Sequence, residues 1–219
     1  MLDSILRQID RVYDLGLDVD IHDFLLTREM CAELGHDSAR ASVLVREDED
    51  GDELQLGVYL GESTLETLGS LDLGAPIQPK SLEAFLTAIE EVSHFAYLLF
   101  SASQHRRVSQ LELELQAEVD KFITSALLIA STNAGRMPED LLERLFDGFE
   151  VRAELEPQVR ERYASATSLA SRYCFHVVRN GLESSDGKSL RRLFSELRSF
   201  YRLTQGGKIG RIHKVVYTS

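Results

Sequence analysis

One glutamate and one histidine stand three residues apart in a segment that is otherwise strongly apolar. Glu91 and His94 lie within Ser81 to Ser103, SLEAFLTAIEEVSHFAYLLFSAS. At helical spacing the two side chains are neighbours, and a carboxylate beside an imidazole can bind a metal ion or transfer a proton. The segment is apolar around more than half of its circumference. We therefore expect Glu91 to be buried, and so to be paired, protonated or metal-bound.

Further candidates lie on two neighbouring predicted helices. The next helix carries Glu112 on its apolar stripe and Glu118 at the border of that stripe. A later helix carries Arg172 and His176 one turn apart, where they can face Glu91 or Glu118 as charge pairs or hold an anion. The predicted catalytic set is therefore Glu91, His94, Glu118, Arg172 and His176. The predicted metal ligands are Glu91, His94, Glu112 and Glu118.

The Glu-x-x-His spacing resembles one half of the ligand pattern of ferritin-like dimetal helical bundles. The resemblance covers only Glu91 to His94. Those bundles use two such pairs, and the second one in this chain, Glu33 to His36, contains Gly35, which we expect to end a helix. The alternative interpretation is a buried hydrogen-bonded pair completed by an Arg or Tyr from another helix. We favour this alternative, so no cofactor is expected and a divalent metal is the second hypothesis.

The distribution of charge suggests a different kind of site. Residues 1–157 contain 12 basic and 32 acidic residues, whereas residues 158–219 contain 12 basic and 4 acidic residues. Charge asymmetry of this kind is typical of binding to an anionic partner, but the basic part can equally pack against the acidic part of the same chain. The predicted partner-binding residues are Arg191, Arg192, Arg198, Arg202, Lys208 and Arg211.

Periodicity predicts a mainly α-helical (α+β) fold. Residues 1–75 are predicted as a small N-terminal part with two short helices, 2–15 and 23–34, and a β-hairpin of Ser42 to Arg46 and Glu53 to Leu60 around an Asp50-Gly51 turn. A short helix, 63–68, and a Gly/Pro-rich linker follow. Residues 76–219 are predicted as an antiparallel bundle of about five helices that shares one continuous core with the N-terminal part. These helices are 81–103, 108–131, a short one from Pro138, 158–179 and 190–203, followed by a strand or ordered extension.

Several classes of protein are disfavoured by composition. Cys31 and Cys174 have no spacing typical of a disulfide scaffold or zinc ribbon, and they fit a reducing cytoplasm. No targeting segment or membrane span is predicted, and GxSxG, Walker, HExxH, GxGxxG and CxxC motifs are missing.

Two functional hypotheses follow, and whether the protein is an enzyme stays open. The first is a regulatory or interaction module that binds a protein or other anionic partner through its basic C-terminal surface. Nucleic acid is disfavoured by the net charge of −12, and a homodimer is a further possibility. The second is an enzyme built around the buried Glu91 and His94, with or without a metal.

Overall fold

The computed structural model describes residues 1–36, 40–47, 54–75, 77–134, 140–146, 156–177 and 187–217. Within these ranges the fold is mainly helical, as predicted, and the predicted hairpin is part of a small three-stranded sheet. The helices are α1 (Leu2–Tyr13), α2 (Arg28–Glu33), α3 (Glu62–Gly69), α4 (Pro79–Ser103), α5 (Gln110–Thr132), α6 (Leu141–Phe146), α7 (Pro157–Val177), α8 (Gly187–Tyr201) and α9 (Gln205–Tyr217). The strands are β1 (Leu25–Leu26), β2 (Ser42–Glu47) and β3 (Leu54–Tyr59).

The hairpin of β2 and β3 is confirmed, with Val43 opposite Val58 in antiparallel register. Its Asp50-Gly51 turn lies outside the described residues. β3 is also paired in parallel with β1, which gives the order β1-β3-β2. Gly57 allows this close approach, because a Cβ at that position would lie 2.6 Å from a methyl carbon of Leu26.

The prediction of one helix over residues 23–34 is wrong. Residues 21–24 form a 3₁₀ helix, Leu25 and Leu26 form β1, and α2 begins only after Thr27, whose hydroxyl accepts a hydrogen bond from the Met30 amide. Local propensity favours a helix throughout this segment, but Leu25 and Leu26 pair with β3 and are therefore extended.

The two longest helices, α4 and α5, pack against each other, and both reach several further elements. α4 also packs on α1, α3 and the sheet, and α5 also packs on α1, α6, α7 and α9. α4 begins at Pro79 rather than with a cap at Ser81, because proline suits the first helical turn. Ser109 caps α5 by accepting a hydrogen bond from the Glu112 amide at 3.1 Å.

The C-terminal end differs most from its prediction. Residues 205–217 form helix α9 instead of a strand or extension. Gly206 and Gly207 lie in its first turn, and a Cβ at Gly207 would lie 3.2 Å from the Leu203 side chain.

The predicted start of a helix at Pro138 and the predicted helix end at Arg179 lie outside the described residues. Within the described residues, α6 begins at Leu141 and α7 extends to Val177.

One hydrophobic core joins the N-terminal elements to the later helices. It contains apolar side chains of α1, β3 and α3 together with those of α4 to α9. Both cysteines are buried as free thiols. None of the helices in the described ranges combines the length and the apolar character that a bilayer span requires.

A fully buried lysine anchors α9 in this core. Lys208 donates a hydrogen bond to Gln116, and its ammonium lies 4.5 Å from the ring centroid of Phe200 and 4.9 Å from that of Tyr97. Burial lowers the pKa of Lys208 to about 7, although the charges of Asp120 and Glu112 oppose this shift. Cation–π contacts and one hydrogen bond therefore replace only part of the lost hydration.

The pKa of Lys208 predicts a specific pH dependence of stability. Between about pH 7 and pH 10 the unfolded chain keeps the lysine proton and the folded chain has lost it. Rising pH therefore favours the folded state, by up to about 1.4 kcal/mol per pH unit and about 5 kcal/mol in all. We expect urea unfolding of wild type and Lys208→Met at pH 6 to 10 to show the wild type gaining stability relative to the variant as pH rises. If the free energy of unfolding changed with pH equally in wild type and Lys208→Met, the low pKa of Lys208 would be contradicted.

Candidate functional site

Glu91 and His94 of α4 meet Glu114 of α5 in a buried cluster. Glu91 is 6% exposed, which confirms that this carboxylate is buried, and His94 and Glu114 are each 7% exposed. The imidazole lies between the two carboxylates: its Nδ1 is 3.5 Å from Glu91 Oε2, and its Nε2 is 3.6 Å from Glu114 Oε2. The predicted pair therefore has a third member, contributed by the neighbouring helix.

These contacts are ion pairs that are too long to be good hydrogen bonds. An N–H···O bond normally spans 2.7 to 3.2 Å between heavy atoms. Among the described residues, Oε2 of Glu91 and Nε2 of His94 are buried without a hydrogen-bond partner. Buried polar atoms without partners are costly and uncommon in native proteins, so these two require a reason.

Burial and mutual attraction act in opposite directions on this cluster. Burial disfavours the charged form of His94, but the interactions with the Glu114 and Glu91 carboxylates outweigh it and raise the pKa of His94 to about 10. Burial raises the pKa of Glu91, and His94 offsets this only in part. Without another cation, His94 is therefore an imidazolium held between two carboxylates.

A second buried ion pair lies beside the first. Lys121 of α5 places its Nζ 2.5 Å from Glu118 and 3.0 Å from Glu90 of α4. Burial opposes the charge of Lys121, but the two carboxylates raise its pKa above the usual value. Burial also raises the pKa of Glu118, while Lys121 counteracts the shift. Lys121 thus joins the two helices across the same interface as His94.

Donor atoms of Glu90, His94 and Glu114 lie within 4.8 Å of one another, which brings them within reach of a single metal ion. Among the described residues, one other group meets this condition, formed by Asp3, Asp20 and His22, and it lies mostly exposed at the surface. The buried group is the more selective site, because its ligands are held by packing on two long helices.

The buried cluster opens into a cleft of about 1110 Å³. Its acidic side is formed by α4 and α5, and α7 contributes Arg162 and Tyr163 to its wall. Burial raises the pKa of Tyr163, and the negative charge of Glu114 and Glu90 raises it further. The Tyr163 hydroxyl therefore stays protonated and can act as a hydrogen-bond donor beside the cluster.

The structure separates the remaining predicted residues from this cluster. Glu112 accepts hydrogen bonds from Arg106, from the Tyr97 hydroxyl at 2.6 Å and from the backbone amide of Gln205 at 2.8 Å, so it ties the start of α9 to α5. Arg172 is exposed and His176 half-buried, and neither lines the cleft.

The cleft contains residues that were not among the predicted site residues, including Glu90, Glu114, Lys121, Arg162 and Tyr163. Glu90 adjoins Glu91, and Glu114 precedes Glu118 by one helical turn. Their positions in the sequence could therefore have identified them as site residues. Tyr163 follows Arg162 on α7, but only the packing of α7 on α5 reveals that it reaches the cluster.

The predicted basic surface is largely engaged within the molecule. Arg198 donates to the Val12 carbonyl at 3.0 Å, and Arg202 donates to the Tyr13 carbonyl at 2.9 Å. Both therefore satisfy the C-terminal carbonyls of α1. Arg211 pairs with Glu196 at 2.6 Å.

The other residues of that predicted surface differ in exposure. Lys208 is in the interior, which removes it from the surface. Arg191 and Arg192 are exposed.

No protein-family model matches the chain, and no curated protein or solved structure matches it significantly.

Removing Lys121 should show how strongly the buried carboxylates destabilise the fold when they lack this cation. Lys121→Met leaves Glu90 and Glu118 without their shared cation, and we expect a loss of about 3–5 kcal/mol in the free energy of unfolding, measured with urea at pH 7.5. The control Lys80→Met, at an exposed position on α4, should change stability by less than about 0.5 kcal/mol.

A second substitution identifies the cause of that loss. Adding Glu118→Gln to Lys121→Met should restore part of the lost stability, because one uncompensated charge is removed. A loss below about 1 kcal/mol for Lys121→Met would show that the pair contributes little.

Proposed function

We propose that the α4–α5 cluster is a divalent-metal site and that the protein is a metal-dependent enzyme acting in the adjoining cleft. The observation that carries this proposal is the buried Nε2 of His94, which has no hydrogen-bond partner and points toward Glu114 in a group of three close donors. A metal ion would satisfy that nitrogen. It would also compensate the excess of carboxylates around it.

The geometry supports specific roles for the residues. Nε2 of His94, Glu114 and Glu90 would bind the ion, while Glu91 would accept a hydrogen bond from the Nδ1–H of His94 and fix the orientation of the ring. Ligands bound to one ion at about 2.1 Å lie roughly 3.0–3.4 Å apart. The 3.6 Å separation of His94 Nε2 and Glu114 Oε2 therefore requires only a small adjustment.

The donor set supports a catalytic rather than a structural metal. Two carboxylates and one imidazole suit Mn²⁺, Fe²⁺ or Zn²⁺ better than softer ions. Three protein ligands leave positions open for water or substrate, and the cleft gives access to them. The ion would serve as a Lewis acid. Tyr163 would donate a hydrogen bond to a bound group, and Glu118, whose pKa is raised by burial, would provide a nearby proton-transfer group.

Metal binding is tested by thermal unfolding in the presence of Mn²⁺, Fe²⁺ or Zn²⁺. At about 100 times the dissociation constant, the ion should stabilise the fold by about 2.7 kcal/mol, which raises the Tm by roughly 5–10 °C. His94→Ala should abolish this increase. His22→Ala, which alters the exposed three-donor group, should retain it.

Two results of this experiment would contradict the proposal. One is an increase that persists in His94→Ala and disappears in His22→Ala. The other is the lack of any increase with Mn²⁺, Fe²⁺ or Zn²⁺, which would favour a buried Glu–His–Glu ion pair without metal.

Binding of an anionic partner is a second candidate function. It is supported by the exposure of Arg191 and Arg192 side by side on α8, although the predicted surface around them is reduced by the internal contacts of Arg198, Arg202, Lys208 and Arg211. The remaining surface is small, so the metal site is the stronger proposal.

A charge reversal tests this second function with polyglutamate as the probe. Arg191→Glu/Arg192→Glu should weaken binding and flatten its dependence on salt concentration, measured by fluorescence anisotropy, because both arginines attract the probe electrostatically. The control Arg28→Glu/Arg160→Glu changes the net charge equally at other exposed positions. Equal weakening in both double variants would exclude a site at Arg191 and Arg192.

A further inference from the structure

The cleft has an acidic floor and a basic rim. The floor is the cluster formed by Glu90, Glu91, His94, Glu114, Glu118 and Lys121. The rim carries Arg40, Lys80, Arg144 and Arg162, together with one acid, Glu83. Positive side chains around the opening would be unnecessary for binding a metal ion and would repel it. They indicate that a second, negatively charged group enters the cleft.

Arg162 is the rim residue that α7 contributes to the wall of the cleft. It precedes Tyr163 on α7, and Tyr163 is close enough to Glu114 for that carboxylate to raise its pKa. The Arg162 guanidinium lies 5.8 Å from the Tyr163 ring centroid. Its Nε is buried and, within the ranges that the structure describes, has no hydrogen-bond partner. A buried guanidinium nitrogen without a partner is a ready donor for an oxyanion.

Charge balance supports an anion with about two negative charges. The floor has four negative carboxylates, and Lys121 contributes one positive charge. A divalent ion bound to neutral His94 adds two positive charges, so the floor is left with about one net negative charge. The rim contributes about three net positive charges once Glu83 is included. The occupied cleft would therefore carry about two positive charges. A phosphate monoester dianion matches this balance, whereas a single carboxylate does not.

We propose that the cleft binds a phosphorylated organic substrate, with its phosphate group between the metal ion and Arg162. This inference rests on the proposed metal site, because the ion supplies part of the compensating charge. A volume of about 1110 Å³ leaves room for an organic group of nucleotide size beside the phosphate. Arg162 is then a substrate-binding residue, whose planar guanidinium can donate two parallel hydrogen bonds to phosphate oxygens.

Isothermal titration calorimetry of the Mn²⁺-loaded and metal-free protein tests this inference, with inorganic phosphate and adenosine monophosphate as probes. Arg162→Gln should weaken phosphate binding to the loaded protein at least about tenfold, the cost expected for losing a charged hydrogen-bond donor. Arg162→Lys should fall between wild type and Arg162→Gln. The control Arg160→Gln, an exposed arginine on the same helix, should bind as wild type does. Circular dichroism verifies that each variant is folded.

The possible results separate this inference from the proposed function. Mn²⁺ binding with equal phosphate affinity in wild type and Arg162→Gln would overturn the phosphate site and leave the metal site standing. Malonate binding as tightly as phosphate would overturn the choice of phosphate over carboxylate. Phosphate binding that needs Arg162 but not Mn²⁺ would overturn the metal site and retain Arg162 as the anion-binding residue.

Discussion

The fold depends on how the charged side chains of α5 are neutralised in the interior. The helix buries three glutamates, one aspartate and one lysine, Glu112, Glu114, Glu118, Asp120 and Lys121. Buried charges are costly unless cations and hydrogen bonds compensate them, so each carboxylate must meet a partner. The partners come from α1, α4, α9 and the segment between α4 and α5, and Glu118 pairs with Lys121 of α5 itself. The position of α5 therefore constrains how these elements pack.

Two separate polar networks result along this helix. In one, Asp120 accepts hydrogen bonds from Tyr13, Ser93 and Gln116, and Gln116 in turn accepts one from Lys208. This network links α1, α4, α5 and α9, and both carboxylate oxygens of Asp120 accept hydrogen bonds within it. In the other, around His94, the donors and acceptors are not matched. A satisfied network is expected of a structural core, while unsatisfied buried atoms beside a cleft are typical of a site that binds something else.

Apolar periodicity predicted the long elements well because their packing faces are continuous. The positions of α1, α4, α5 and the hairpin followed from it, and so did the burial of Glu91. The two-residue strand β1 is too short to give a periodic signal, and it depends on its pairing with β3. Helix α9 begins with glycines that disfavour helix formation, and the burial of Lys208 in an aromatic environment is a tertiary effect.

The composition of the site was only partly predictable for the same physical reason. Glu114, Glu118 and Lys121 lie on one side of α5 and resemble the solvated face of a surface helix, because local sequence does not show which neighbours will cover them. Likewise, the arginines of α8 suggested an external binding surface. Arg198 and Arg202 instead satisfy the last carbonyl groups of α1, which carry no sequence signature of their own.

The central claim is that His94 Nε2 binds a metal ion together with Glu114 and Glu90. The most direct measurement is a crystal structure of the protein grown with Mn²⁺, with anomalous diffraction data that locate the ion. We expect an anomalous peak about 2.1–2.3 Å from His94 Nε2 and from an oxygen of each carboxylate. A map without a peak, in which His94 forms short hydrogen bonds to both Glu91 and Glu114, would contradict it.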